Sequence, residues 1–415
     1  MNPDYDHPIQ LTSEEDDLSR SRLTVFFRLL LALPHIVWFG FWTLLVFVVA
    51  ILNWFATLFN GRPPDGFNRL LTAYVRYTAH LGAYVSLTCD PFPDFVGKPG
   101  SYPVDVHLPE EPQLQNRWKT GFRLILGIPA FLMDAALVGG SRTGYSNSGG
   151  VLWTNAFLAW FACLFTGRMP AGLRELNLYA LRYSAQTHGY ALLVTDRYPD
   201  ADPFAPPTAR QGPYHPVRLT ADDDLRRERL TVFFRILLVI PHYIWLTLWS
   251  IAAFFAAIGA WFAALFTGRV PDALHRFLSA FLRYATHVAA FLVLAANPFP
   301  GFVGAPGSYP VDLDIDPPGL QNRWKTGFRL ILVIPALAVS GALSGVLLLA
   351  AIFGWFVSLF TSRMPRSLRQ AELLALRYAG QAYAYLLLLT DRYPYASPAP
   401  PAAAPEPAVT PELAT

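Results

Sequence analysis

The sequence predicts an all-α multi-pass membrane protein. It reads as four quarter-repeats, each a helical hairpin followed by an amphipathic helix, with a small β cap made from short strands. Three observations lead there. Between Arg28 and Arg62 lie 33 residues without Asp, Glu, Lys or Arg, and a bilayer core of about 30 Å needs about 20 apolar helical residues to cross. Stretches of the same kind begin at Arg117, Arg229 and Arg323. Each follows a short run that alternates apolar and polar residues after a Pro, the period of a half-buried strand.

Composition agrees. The chain is 53% hydrophobic and 15% charged, with a mean hydropathy of +0.31, where soluble proteins carry about 25% charge. A net charge of +3 without a dense Lys/Arg block argues against nucleic acid as a partner. Two cysteines, Cys89 and Cys163, cannot build a disulfide framework. The N-terminal residues are polar and acidic, with no basic segment before an apolar run. The first apolar segment is therefore expected to direct insertion into the cell membrane.

The chain is a duplication, and each half is two diverged quarters. RLTVFFRLLLALPHIVW from Arg22 returns as RLTVFFRILLVIPHYIW from Arg229, and LQNRWKTGFRLIL occurs from Leu114 and from Leu320. Arg28 and Arg235, Arg76 and Arg283, and His80 and His287 are each 207 positions apart. The divisions read as 1–104, 105–200, a Pro-rich linker 201–214, 215–311, 312–396, and a Pro/Ala-rich tail 397–415 expected to be disordered.

Within each quarter an alternating run comes first: HPIQLT at His7, YPVDVHL at Tyr102, HPVRLT at His215 and YPVDLDI at Tyr309. The four are expected to meet in one small sheet. A pair of Arg residues follows, then a Pro six positions on: Pro34, Pro129, Pro241 and Pro335. The long apolar run from Arg22 to Arg62 would measure about 58 Å as one helix, too long for one span and right for two. The second quarter supports a hairpin. Its Arg123–Arg168 spacing is 45 against 34 elsewhere, and the extra residues lie in GGSRTGYSNSGG at 139–150. A polar insertion belongs where the chain meets water, hence at a hairpin tip. Trp38, Trp42, Trp245 and Trp249 are then expected in the far interfacial belt.

Each long run ends in WFxxLF followed by TGR, NGR or TSR. Gly and a cation suit a helix C-terminus, so Arg62, Arg168, Arg269 and Arg363 read as helix stops and headgroup anchors. A third helix follows with an Arg-Tyr pair. If these helices lie in the interface, every quarter starts on the same side, giving eight crossings.

The third helices carry the candidate polar face: Arg76 and His80, Arg182 and Gln186, Arg283 and His287, Arg377 and Gln381. Residues four apart share a helix face. Such a face would line an anion path or hold lipid phosphate, while the plainer reading is Arg snorkelling from an amphipathic helix to headgroups. Pro34-His35 and Pro241-His242 read as a helix kink, since no metal-ligand spacing is present. Asp134 is the one acid inside a predicted hairpin helix and is expected near the tip. No phosphate loop, nucleophile elbow or HExxH occurs, so neither an enzyme nor a cofactor is expected.

The arrangement resembles the bacterial multi-pass membrane family catalogued as domain of unknown function 4389. The residues that carry the resemblance are RLLLALPHIVW from Arg28, RILLVIPHYIW from Arg235, the LFTGR turn with its Pro, the LRY helix, and TDRYP at Thr195 and Thr390. It covers nearly all of 8–396. The resemblance implies membrane residence and a repeated domain, and brings no activity. Two functional classes follow. One is a structural or interaction module of the membrane, with lipids and an unknown protein as partners. The other is a transporter or channel with an Arg/His-lined path between the repeats.

Overall fold

The computed structural model describes residues 7–14, 17–139, 149–205 and 212–399. In chain order the first half holds β1 (Gln10–Ser13), α1 (Arg22–Asn60), α2 (Asp65–Val85), β2 (Val104–His107), α3 (Arg117–Gly121), α4 (Arg123–Val138), α5 (Gly150–Thr166) and α6 (Ala171–Ala191). The second half repeats it with β3 (Val217–Ala221), α7 (Arg229–Leu238), α8 (Ile240–Thr267), α9 (Asp272–Leu292), β4 (Val311–Ile315), α10 (Arg323–Gly327), α11 (Arg329–Leu332), α12 (Ile334–Thr361) and α13 (Arg366–Leu386).

The expected hairpins are absent. α1 is one uninterrupted helix of 39 residues that runs straight through Pro34 and Trp38–Trp42. α7 and α8 meet at Val239, just before Pro241, and together form a second rod over Arg229–Thr267. Pro removes one N–H and crowds the preceding turn, yet helix continues on both sides of it, so the rods do not fold back. α3–α5 and α10–α12 form the other two rods. Three helical stretches, Arg22–Asn60, Arg229–Thr267 and Arg329–Thr361, are long and apolar enough to cross a membrane.

The second quarter follows the same plan. Near the end of α1, Trp54 Nε1 donates to the Thr120 carbonyl of α3 at 2.8 Å. Near the end of α5, Trp160 Nε1 donates to the Val25 carbonyl at the start of α1, at 3.0 Å. The α3–α5 rod therefore runs antiparallel to α1 from one end to the other. The inserted residues leave and rejoin the rod at its middle, where Gly139 and Gly149 lie against each other. Most of the insertion, including Ser146, lies outside the described residues. The second half repeats both contacts, Trp261 to Thr326 at 2.8 Å and Trp355 to Val232 at 2.9 Å.

Three strata result. Each rod buries a narrow stripe, which in α1 comprises Val25, Arg28, Ala32, His35, Trp42, Val46, Val49, Asn53 and Thr57. The stripe of α1 packs on α2, and α2 and α6 with α9 and α13 form the middle layer. The halves join where Met133, Leu137 and Val151 meet Val339, Leu343 and Val346. The third stratum is strands and loops. β1 pairs with β2 from Gln10↔His107 to Ser13↔Val104, and β3 with β4 from Val217↔Ile315 to Ala221↔Val311, both antiparallel. The strands thus make two separate ribbons, one per half, and not a single four-stranded sheet. Ile9, Val104 and Val106 face inward, whereas Gln10, Thr12 and His107 face out.

The long apolar runs end where the TGR pattern places them. Gly61, Gly167, Gly268 and Ser362 adopt φ of 76°, 71°, 73° and 59°, the left-handed cap that closes a helix. The middle helices end differently, on Leu87, Leu193, Leu294 and Leu388, all at φ between 61° and 68°. A left-handed branched side chain is costly, so these turns must be held from outside.

The loop after α2 is pressed on that helix through Gly97. A Cβ there would lie 2.4 Å from the Ala73 carbonyl oxygen, on a backbone with φ +61°, and Gly304 repeats the approach on α9 with 2.1 Å to the Ala280 oxygen. Gly97→Ala is expected to lower stability by at least ~2 kcal/mol, from clash and positive φ together. Thermal unfolding of the purified protein measures it, and an unchanged Tm contradicts this packing.

Candidate functional site

The left-handed leucine turns are held by arginine. Arg28, Arg123, Arg235 and Arg329 are each 1% exposed. Arg28 Nη1 donates to the Tyr84 carbonyl at 2.7 Å and the Cys89 carbonyl at 2.9 Å, and Nη2 pairs with Asp90. Arg329 reaches the Tyr385 and Thr390 carbonyls, both at 2.8 Å, with Gln321 Oε1 at 2.7 Å and Asp391 at 3.0 Å. Arg235 bonds the Phe291 and Ala296 carbonyls. Arg123 bonds the Thr195 carbonyl, Gln115 and Asp196. Each guanidinium also lies over the last aromatic ring of the short helix, 4.2–4.5 Å from the centroid of Tyr84, Tyr190, Phe291 or Tyr385.

These arginines do two things at once. Terminal helix carbonyls lack partners and carry the negative end of the helix dipole, and a planar fork of five donors can satisfy several of them. Two turns receive further arginines. Arg20 donates to the Leu87 carbonyl at 3.1 Å and Arg174 to the Thr88 carbonyl at 3.1 Å. Arg227 donates to Leu294 at 2.9 Å and Arg369 to Ala295 at 2.9 Å, with Asp223 2.5 Å from Arg227. Glu372 lies fully buried in the same region, its carboxyl oxygens without a hydrogen-bond partner among the described residues, and burial pushes its carboxyl well above the ordinary range.

The polar face expected on the third helices is turned toward the third stratum. His80 Nε2 donates to Asp105 at 2.9 Å and His287 Nε2 to Asp312 at 2.7 Å. Arg76 donates to the carbonyls of Val106 at 3.2 Å and Gly97 at 3.3 Å, and Arg283 to Leu313 at 2.8 Å. Gln186 Nε2 donates to Ile9 at 3.1 Å and its oxygen accepts from Asp200 N–H at 2.9 Å; Gln381 does the same with Val217 at 3.1 Å and Tyr395 at 3.0 Å. Arg182 and Arg377 bond the carbonyls of Asp202 and Ser397. The eight side chains latch the ribbons and closing loops onto the helices, two per quarter, and do not converge on one cavity. Burial pushes the Asp105 carboxyl up, but hydrogen bonds from His80, Gly100 N–H and Val106 N–H more than offset it and hold it below its usual value.

Arg62, Arg168, Arg269 and Arg363 are exposed at the rod ends. There the first Arg of one rod caps the last turn of its partner: Arg22 donates to Phe165 at 3.1 Å and Arg229 to Phe360 at 2.8 Å. Trp38 and Trp245, expected at a far interface, sit mid-rod and donate to Phe95 at 2.7 Å and Phe302 at 3.0 Å. Trp42 is buried against Tyr77. His35 and His242 contact the Tyr77 and Tyr284 hydroxyls at 3.0 and 2.8 Å, so they tie rod to helix rather than serve a kink. Asp134 is half-buried on the face of α4 toward Ser184 and His188 of α6. Among the described residues, no three His, Cys, Asp or Glu side chains form a metal-binding group.

The fourfold lock recurs where one family pattern matches the chain, at residues 22–96, 145–201, 229–303 and 323–397, under the description domain of unknown function (DUF4389). The chain belongs to this family. No curated protein and no solved structure matches it. Three of the matched segments span a whole rod and its short helix, and the second begins within the inserted residues and spans α5 and α6.

The buried arginines were the main residues missed. They stood out as spacing landmarks, and the signal of their role is a cation inside an apolar run together with the Asp of TDRYP, Asp196 and Asp391. Arg235→Met is expected to cost about 3–5 kcal/mol, because acceptors at the helix end lose their partner, and Arg235→Lys is expected to recover less than half. Chemical unfolding checks both, and full rescue by Lys removes the argument for fork geometry.

A pH effect follows from His7 and His215. Each imidazole Nδ1 lies within hydrogen-bond distance of both the N–H and the carbonyl oxygen two residues on, at 3.0 and 3.1 Å for Ile9 and at 3.0 Å each for Val217. Burial favours the neutral ring and, although the backbone contact opposes it, lowers both pKa values from 6.5 to about 4. The unfolded chain therefore binds more protons at intermediate pH. Stability is full above pH ~6.5 and falls as pH drops toward ~4, by ~3 kcal/mol for each His. Unfolding at pH 7.5 and 4.5 measures the loss, and His7→Asn with His215→Asn should flatten this part of the profile.

Proposed function

We propose that the chain is a non-catalytic structural module of the cell membrane whose partner is lipid. One observation carries this reading. The rods leave a wide surface of large apolar side chains exposed along their whole length, from Leu23 to Phe59 in α1 and from Leu230 to Phe266 in α7–α8. A contiguous apolar surface of this extent on a soluble chain would drive association, whereas the ribbons turn Gln10, Thr12, His107 and Asp314 outward. The rod ends add Trp118 and Trp324, 79% and 80% exposed, beside Lys119, Lys325 and the helix-stop arginines. Trp and basic residues of this kind favour the headgroup zone.

A transport path lined by Arg76, His80 and their counterparts has less support, because those groups are already bonded to strand carbonyls and Asp105 or Asp312. The structural reading also agrees with the repeat: four copies of one lock build a broad surface, with none of the copies singled out for chemistry.

The purified protein is expected to float with vesicles of mixed neutral and anionic lipid and to resist extraction by alkaline carbonate. Recovery in the soluble fraction counts against the reading. Replacing Arg62, Arg168, Arg269 and Arg363 together by Gln should leave the unfolding midpoint unchanged and weaken the preference for anionic over neutral vesicles by up to ~1 kcal/mol per charge.

A further inference from the structure

We infer that the rods lie along the membrane plane, sunk into one leaflet, with the strand stratum in water. The inference rests on the membrane reading above and adds an orientation to it. Length is the first argument. α1 has 39 residues, about 58 Å at 1.5 Å per residue, against a hydrocarbon core of about 30 Å. Its exposed apolar side chains continue to both ends. Fitting that surface into the core by tilting takes an angle of about 60°, beyond the usual 0–40° of crossing helices.

The second argument is where the polar stratum sits along the rod. Residue 41 is the midpoint of α1. Trp38 Nε1 donates to the Phe95 carbonyl, and the Thr43 and Tyr74 hydroxyls lie 3.0 Å apart. The loop that carries Phe95 also carries exposed Lys98. Arg76, adjacent to the Tyr77 that contacts His35, holds the Val106 carbonyl of β2. The first ribbon therefore stands beside the middle of its rod, and Trp245 with Phe302 and Arg283 with Leu313 repeat this in the second half. A rod crossing the bilayer would put Lys98 and two-stranded ribbons, with their unpaired edges, at the bilayer centre. Lipid-exposed strand edges do not occur there, and charge at that depth is costly.

Lying flat removes both conflicts. The four rods pack one beside the next in the order α1, α3–α5, α10–α12 and α7–α8, with the short helices against them, and Gln10, Thr12, His107 and Asp314 point outward from the ribbons that sit on those short helices. The rod ends, with Trp118, Trp324 and the exposed Arg residues, then form a rim at headgroup level. Amphipathic helices in this position bury their apolar face about 5–10 Å below the headgroup boundary.

Depth along one rod decides the matter. Phe26→Cys, Phe41→Cys and Phe55→Cys, made singly in the full chain and spin-labelled, place reporters at both ends and the middle of one exposed face of α1. The native Cys89 and Cys163 are buried. Vesicle flotation comes first, so that failure to bind is scored against the membrane reading alone. For bound protein, immersion depths from collision with oxygen and with an aqueous nickel chelate are expected to agree within about 5 Å. A label at position 41 about 15 Å deeper than those at 26 and 55 means a crossing rod and overturns the inference. The set Phe233→Cys, Leu248→Cys and Phe262→Cys repeats the measurement on the third-quarter rod should an α1 variant misfold. Lys98→Cys is expected to meet the aqueous reagent, and a lipid-shielded label there also overturns the inference.

Discussion

Everything in this fold depends on a buried guanidinium closing the end of a helix. In each quarter the rod passes the C-terminus of the short helix, and there one arginine serves one or two carbonyls and stacks on the last aromatic ring. Without it, a left-handed leucine and a set of free carbonyls would sit beside an apolar rod, where neither water nor sequence-local groups reach them. A buried charge is costly by itself, but here its partners are groups that would otherwise be unpaired. The lock therefore fixes the angle between rod and short helix, and through it the course of the loop that returns along the short helix to the strand.

Much of the architecture is legible in the sequence, for identifiable reasons. The Gly or Ser before Arg62, Arg168, Arg269 and Arg363 marks the rod ends, because φ near +60° to +76° selects those residues. Alternation after His-Pro and Tyr-Pro marks β1–β4, because one strand face is buried. The hairpins misled because length was weighed against bilayer thickness with crossing taken for granted. A rod of 39 residues is too long only for a helix that stands upright. The polar insertion at 139–150 was read as the tip of a hairpin, whereas Gly139 and Gly149, where it leaves and rejoins the chain, lie against each other between α4 and α5.

The polar line of the short helices shows a different limit. Its i, i+4 spacing is plain from Arg76/His80 to Arg377/Gln381, and periodicity tells which residues share a face. It does not tell what that face meets. The answer lies in residues 14 to about 180 positions away: Asp105 for His80, and Asp200 and Ile9 for Gln186. The exchange of His for Gln between quarters becomes intelligible there. His80 and His287 donate to a strand carboxylate, whereas Gln186 and Gln381 must donate to one backbone group and accept from another, which a neutral amide does with its two ends.

The crossed ends of the rods bear on how such a chain can come into being. The start of α1 is completed by the end of α5, and the end of α1 by the start of α3. One quarter alone would leave both of its ends uncapped, so the smallest self-sufficient piece is a pair. A gene copying event that yielded an odd number of quarters would strand one rod without a mate. The 207-residue period of this chain is the length of such a pair, and growth of the array by halves is the step its geometry permits.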